Sequence, residues 1–165
     1  MKNYHNFYKE IFDILEDFTP LEKDCGLLCD KACCKGTETD GMILFPNEPT
    51  TLKTKNIGDK IFCSCEGSCD RNTRPLACRI FPFFPTINEY GRIEATLDTR
   101  AIRLCPMVEN YESIKFEREF LRRIRKIGRM LIKDDECLLY IKETTAEIEQ
   151  YNKLFAFSPK ISKRK

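Results

Sequence analysis

Apolar side chains at Tyr4, Phe7, Tyr8, Ile11, Phe12, Leu15 and Phe18 recur every three or four positions, with Lys9, Glu10, Asp13 and Glu16 between them. That period places them on one face of a helix, which Thr19 and Pro20 should end. A second helical period runs through Phe116, Phe120, Ile124, Ile127 and Leu131, with Arg122, Arg123, Arg125, Lys126 and Arg129 largely on the opposite face. Asp134 or Asp135 can then cap a further helix carrying Cys137, Leu138, Ile141, Ile148, Tyr151 and Leu154. The basic tail from Ser158 to Lys165 is expected to fray.

Between Leu21 and Pro106 no helical period is sustained. Met42 to Phe45 reads as a short strand after Gly41, and Phe83 to Asn88 with Arg92 to Leu97 as the arms of a hairpin around Glu89, Tyr90 and Gly91. The pattern predicts one small α+β domain over residues 1–165. An N-terminal helix (1–20) and a C-terminal helical hairpin (107–157) flank an irregular, cysteine-rich, metal-held centre with short strands (21–106), and 158–165 is the tail. A chain of 165 residues can remove roughly 70% of its unfolded surface from water, so one core suffices.

Ten cysteines change the picture, nine of them in the centre. Either disulfides staple the fold or thiols hold metal. The first residues mix charges with apolar side chains and do not resemble a secretory leader, and no run of about 18 apolar residues could span a membrane. The chain is therefore expected in the cytoplasm, where disulfides are disfavoured and thiolate ligation is the better reading. Net charge follows: eight thiolates around two divalent ions would turn the formal +2 into about −2, which argues against a nucleic-acid partner. Nothing in the chain identifies a protein partner.

The densest group is Cys25, Cys29, Cys33 and Cys34. Soft thiolates select zinc, cuprous copper or iron–sulfur clusters, and Zn–S bonds of about 2.3 Å require the sulfurs to converge. On a regular helix Cys25 and Cys29 could share an ion, but Cys33 would stand about 12 Å along the axis from Cys25. Either the chain curls here, helped by Gly26 and Gly36, or the thiols are divided between two sites. Further cysteines follow at Cys63, Cys65, Cys69, Cys78 and Cys105. The single histidine, His5, reads as an exposed helix residue, and Cys137 as a small buried hydrophobe.

Together with Met42-Ile43-Leu44-Phe45-Pro46-Asn47-Glu48, Cys65-Glu66-Gly67-Ser68-Cys69 and Arg74-Pro75-Leu76-Ala77-Cys78-Arg79-Ile80-Phe81-Pro82, this cluster resembles the YkgJ-type cysteine-cluster family, described as chelating zinc or iron. The likeness spans about Asp24 to Pro106, and the flanking helices resemble those of its clostridial-type members. In such proteins two residues commonly precede the adjacent cysteine pair, whereas Asp30, Lys31 and Ala32 separate Cys29 from Cys33 here. The resemblance implies metal ligation by Cys25, Cys29, Cys33, Cys34, Cys65, Cys69, Cys78 and Cys105. These would suit two tetrathiolate zinc sites, or one zinc site with an iron–sulfur cluster. Cys63 is open between ligand and structural residue.

Arginines beside the ligands, Arg74 and Arg79 around Cys78 and Arg100 and Arg103 before Cys105, could donate to thiolate sulfur or form ordinary ion pairs. Phe81, Phe83 and Phe84 read as core rather than as a base-stacking platform. The favoured function is a non-catalytic metal-binding protein, since no nucleophile–base–acid constellation stands out. An iron–sulfur protein with a redox or methyl-transfer-related role is the alternative; the CxxxCxxxC spacing departs from the CxxxCxxC of radical S-adenosylmethionine enzymes. A zinc-scaffolded adaptor using the Arg122 to Arg129 face is the third reading.

Overall fold

The computed structural model describes residues 3–36, 39, 41–67 and 70–157, so the basic tail and Cys69 lie outside the described residues. In chain order the elements are α1 (Tyr4–Leu15), α2 (Gly26–Cys29), β1 (Gly41–Ile43), β2 (Thr54–Ile57), β3 (Lys60–Ser64), α3 (Leu76–Ile80), β4 (Phe83–Ile87), β5 (Ile93–Leu97), α4 (Pro106–Glu109), α5 (Arg118–Leu131) and α6 (Asp135–Leu154). The fold is α+β, with helices at both ends, as the periodicity predicts.

α1 starts where the Asn3 side chain accepts the Asn6 amide at 3.2 Å, and it buries Tyr8, Ile11 and Leu15. It stops at Leu15, short of the predicted Phe18, because Glu16 turns to φ 45° and returns its amide to the Phe12 carbonyl. Arg123 of α5 then fixes this end. Its guanidinium donates to the Ile14 carbonyl, lies 3.8 Å from the Phe18 ring centroid and bonds Glu119 at 2.8 Å. Arg123 is thus a fastener between helices and not part of the solvated face.

α5 buries Phe120, Leu121, Ile124, Ile127, Gly128 and Leu131 against the β4–β5 hairpin and α1. Gly128 sets the closeness of that packing, since a Cβ there would stand 2.6 Å from Ile93 Cγ2 and 2.8 Å from Pro85 Cβ. α6 is capped by Asp134, whose carboxylate accepts the Cys137 amide at 3.1 Å. Its inner face is Cys137, Ile141, Thr144, Thr145 and Ile148, whereas Tyr151 and Leu154, expected on that face, are exposed. The Thr145 hydroxyl donates to the Ile141 carbonyl at 2.7 Å and accepts the Ile87 amide at 3.2 Å, tying α6 to β4.

Two antiparallel sheets carry the centre: β4–β5, with Phe83 opposite Leu97, and a three-stranded sheet in the order β1-β3-β2, with Cys63 between Met42 and Thr54. The β4–β5 hairpin matches the sequence reading. β2 and β3, joined at Gly58-Asp59, do not appear in it, and the first strand is Gly41–Ile43 rather than Met42–Phe45. Leu44 and Phe45 leave the strand for the interior, where Phe45 stacks on Phe84 with centroids 5.6 Å apart. One continuous apolar core links α1, α3, β4, β5, α5 and α6 and reaches Cys105.

Candidate metal-binding thiol site

Cys25 and Cys29 bracket the single turn of α2. The helix ends because Asp30 (φ 49°, ψ 44°) and Lys31 (φ 53°, ψ 38°) are both left-handed, and the chain doubles back into a 3₁₀ turn over Ala32–Cys34. The Lys31 amide returns to the Gly26 carbonyl at 3.1 Å, and Lys35 bonds the Asp30 carboxylate at 2.9 Å, which fixes the reversal. The chain therefore curls, but Asp30 and Lys31 make the bend. Gly26, expected to assist, lies inside α2; Gly36, at φ +78°, does contribute.

The reversal returns Cys33 to the neighbourhood of Cys25 and Cys29. Cys105 lies at the start of α4 and is buried in the core. These thiols act on one another: burial raises the Cys33 thiol, and Cys29, Cys25 and Cys105 raise it further, against the Cys33–Cys34 sulfur contact. Burial pushes Cys25 up to about 11, helped by Asp24, Cys105 and Cys29. Cys105 is raised by burial, while the amides of Met107 and Val108 at the start of α4 favour its thiolate.

Cys34 follows Cys33 in the 3₁₀ turn. Its sulfur is 3.7 Å from that of Cys33, and burial pushes its thiol up to about 12, with Cys33 and Cys65 adding to the shift and the Arg74 charge opposing it. Cys65 arrives at the end of β3 on a loop that touches the Cys34 loop backbone to backbone. A Cβ on Gly36 would meet the Gly67 nitrogen at 2.6 Å, so only glycine permits this approach, and Gly36 and Gly67 are both at positive φ. Cys78 lies on α3, whose first amide, that of Leu76, donates to Glu48.

Six of the eight predicted ligands thus group through their mutual charge effects in two sets that meet at Cys33–Cys34: Cys25, Cys29, Cys33 and Cys105 in one, Cys34 and Cys65 in the other. Cys78 is half-buried on α3. Among the described residues no three His, Cys, Asp or Glu side chains converge closely enough to enclose an ion, and none of the cysteines is in a disulfide. The donor chemistry suits a soft or borderline ion.

The remaining candidates separate cleanly. Cys63 is buried in β3 at 3% exposure, and Cys137 is fully buried with its sulfur 3.6 Å from the Tyr8 hydroxyl. His5 is exposed on α1. Arg100 is committed to Asp98 and Glu147, each at 2.7 Å, and Arg79 to the carbonyls of Arg74 (2.8 Å) and Asn72 (2.9 Å) and to the Phe12 ring. Phe83 and Phe84 are buried, as expected of core residues.

Sequence reasoning missed Glu48. Its buried carboxylate accepts the amides of Phe45 at 3.1 Å and Leu76 at 2.6 Å, joining the β1 exit to the helix that carries Cys78. An acidic residue just after an apolar run was the available signal. Comparison of the chain with protein-family models, curated proteins and solved structures found no match. No helix among the described residues is long and apolar enough to cross a membrane.

Proposed function

We propose that this protein chelates metal, zinc or iron, through two adjoining thiolate sets and has a non-catalytic role. One set is Cys25, Cys29, Cys33 and Cys105; the other is Cys34 and Cys65, with Cys69 and Cys78 assigned to it by the family resemblance. The reading is supported by the 3.7 Å contact of the Cys33 and Cys34 sulfurs and by the charge effect of Cys105 on Cys25 and Cys33, although about 80 residues separate Cys105 from Cys25. Cys25 and Cys29 are half-buried and Cys33 is exposed, where thiols suit ligation better than packing.

Bound zinc would hold the loops through closed tetrathiolate coordination and neutralise much of the thiolate charge. The residues themselves supply the frame: the Asp30–Lys31 reversal leads into the turn that holds the Cys33 and Cys34 sulfurs 3.7 Å apart, and the Gly36–Gly67 contact brings the Cys65 loop against the Cys34 loop. The thiols must stay reduced, which agrees with a cytoplasmic setting.

Metal analysis and an absorption spectrum of the full chain, purified without oxygen, test the reading. Two ions per chain are expected, colourless for zinc and brown for an iron–sulfur cluster. Cys29→Ala and Cys65→Ala should each lose one ion, while Cys63→Ala and Cys137→Ala should keep both. Protein without stoichiometric metal would sink the proposal.

A further inference from the structure

We propose that the adjacent thiols of Cys33 and Cys34 form a two-sulfur site for a trivalent, monosubstituted arsenical, held covalently between them. This goes beyond the chelation reading above, because it needs two sulfurs and no third ligand. Carbon already occupies one bond of such an arsenic, so two thiols complete its valence. Among the described residues the structure holds two sulfurs in contact and encloses no ion with three donors, which suits that demand.

Adjacency alone does not bring the sulfurs together. Cys33 and Cys34 lie in a 3₁₀ turn, where successive side chains diverge by about 120°, yet their sulfurs stand 3.7 Å apart. The backbone fixes this turn from both ends. Before it, Asp30 and Lys31 are left-handed, and the Lys31 carbonyl accepts the Cys34 amide at 2.7 Å. After it, the Lys35 ammonium donates to the Asp30 carbonyl at 2.8 Å and to its carboxylate at 2.9 Å, and Gly36 is seated against the Gly67 backbone. A pair arranged in advance loses less freedom when a ligand closes a ring across it. Cys33 is exposed and Cys34 half-buried, so a reagent reaches the first sulfur and then the second without unfolding the chain.

The geometry favours a bridging atom over a direct sulfur–sulfur bond. A disulfide needs its sulfurs about 2.05 Å apart and its Cα atoms about 4.4–6.8 Å apart. Consecutive Cα atoms are only about 3.8 Å apart, and the 3.7 Å between these sulfurs leaves room for one atom between them. The reaction balances without an oxidant. In an arsenical oxide the arsenic–oxygen double bond gives way to two arsenic–sulfur bonds, and the two thiol protons leave with the oxygen as one water. Arsenic stays trivalent throughout, and no electrons are exchanged.

The experiment treats the reduced full-length chain with phenylarsine oxide without oxygen and reads the intact mass. One phenylarsenic group per chain is expected, stable to excess glutathione and removed by dimercaptopropanol. Cys33→Ser and Cys34→Ser should each release the group to glutathione about 100-fold or more faster, because the second sulfur acts at a high effective concentration. Cys29→Ser and Cys65→Ser should release it as the parent does. Far-UV circular dichroism checks that the variants are folded; if they are not, protection of Cys33 and Cys34 from alkylation in the unmodified protein, mapped by peptide mass spectrometry, decides. Protection of other cysteines instead, or release from the parent as fast as from the two variants, overturns the proposal. Stoichiometric zinc without arsenical binding sinks this inference alone, and arsenical binding without stoichiometric metal sinks the chelation reading alone.

Discussion

The Glu48 carboxylate accepts the Leu76 amide at 2.6 Å while its other oxygen accepts the Phe45 amide at 3.1 Å. One buried acid thereby satisfies the first amide of α3 and the turn that follows β1, and so sets where Cys78 stands relative to the sheet.

Glu48→Gln puts an NH₂ group against one of those two donors. The expected loss is about 1–3 kcal/mol, the usual cost of an unsatisfied buried polar group. Burial pushes the Glu48 carboxyl up to about 7, against the two amides and Arg79. A raised folded-state value means that the native state binds the extra proton, so this contribution is full below the ordinary carboxylate range and is lost as pH rises through about 7. Urea midpoints of the two proteins should therefore differ most near pH 5 and converge by pH 8. A gap that widens with pH would refute the assignment.

Gly36→Ala should act locally. The new Cβ meets the Gly67 backbone at 2.6 Å, in a left-handed conformation that costs a non-glycine residue roughly 1–2 kcal/mol. Metal retention by the Cys34 and Cys65 set should fall, while the melting of α5 and α6, followed by hydrogen exchange, stays as in the parent. Loss of the other ion instead would show that the loops are assigned to the wrong sets.

Arg123→Ala removes the donor to the Ile14 carbonyl and the cation over Phe18. A loss of about 1.5–3 kcal/mol in chemical denaturation is expected, in the range of hydrogen bonds made by charged groups. Arg122→Ala, on the exposed side of the same helix, should change stability by less than about 0.5 kcal/mol. Equal effects from the two substitutions would deny Arg123 its fastening role.

Gly128→Ala tests the packing of α5 on the hairpin. Its Cβ would press on Ile93 and Pro85, so the helix must lift, at about 1–3 kcal/mol despite the better helix propensity of alanine. A thermal scan showing stabilisation would mean that the interface has room to spare.

Much of the fold was legible because α1, α5 and the β4–β5 hairpin repeat their apolar residues at the period of the element they form. β2 was not, since Thr54 to Ile57 is exposed along its length and shows no buried alternation; only Gly58-Asp59 marked the turn. The inner face of α6 was partly hidden because Thr144 and Thr145 occupy core positions. At the thiol cluster, helical reach predicted either a curl or a division, and the chain curls. The residues making the bend escaped notice, since left-handed Asp30 and Lys31 carry no glycine to announce them. The roles of Arg79, Arg100 and Glu48 depend on partners distant in sequence, which spacing alone does not reveal.

The charge effect of Cys105 on Cys25 has a topological counterpart. An ion shared by these two residues would cross-link positions about 80 residues apart and shrink the unfolded ensemble as a disulfide does, by about 4–5 kcal/mol in the loop-entropy view. The link would fasten the opening third of the chain to the segment that leads into α5, so the ion would act as a reversible staple on the whole molecule, set by metal supply and free of any oxidant.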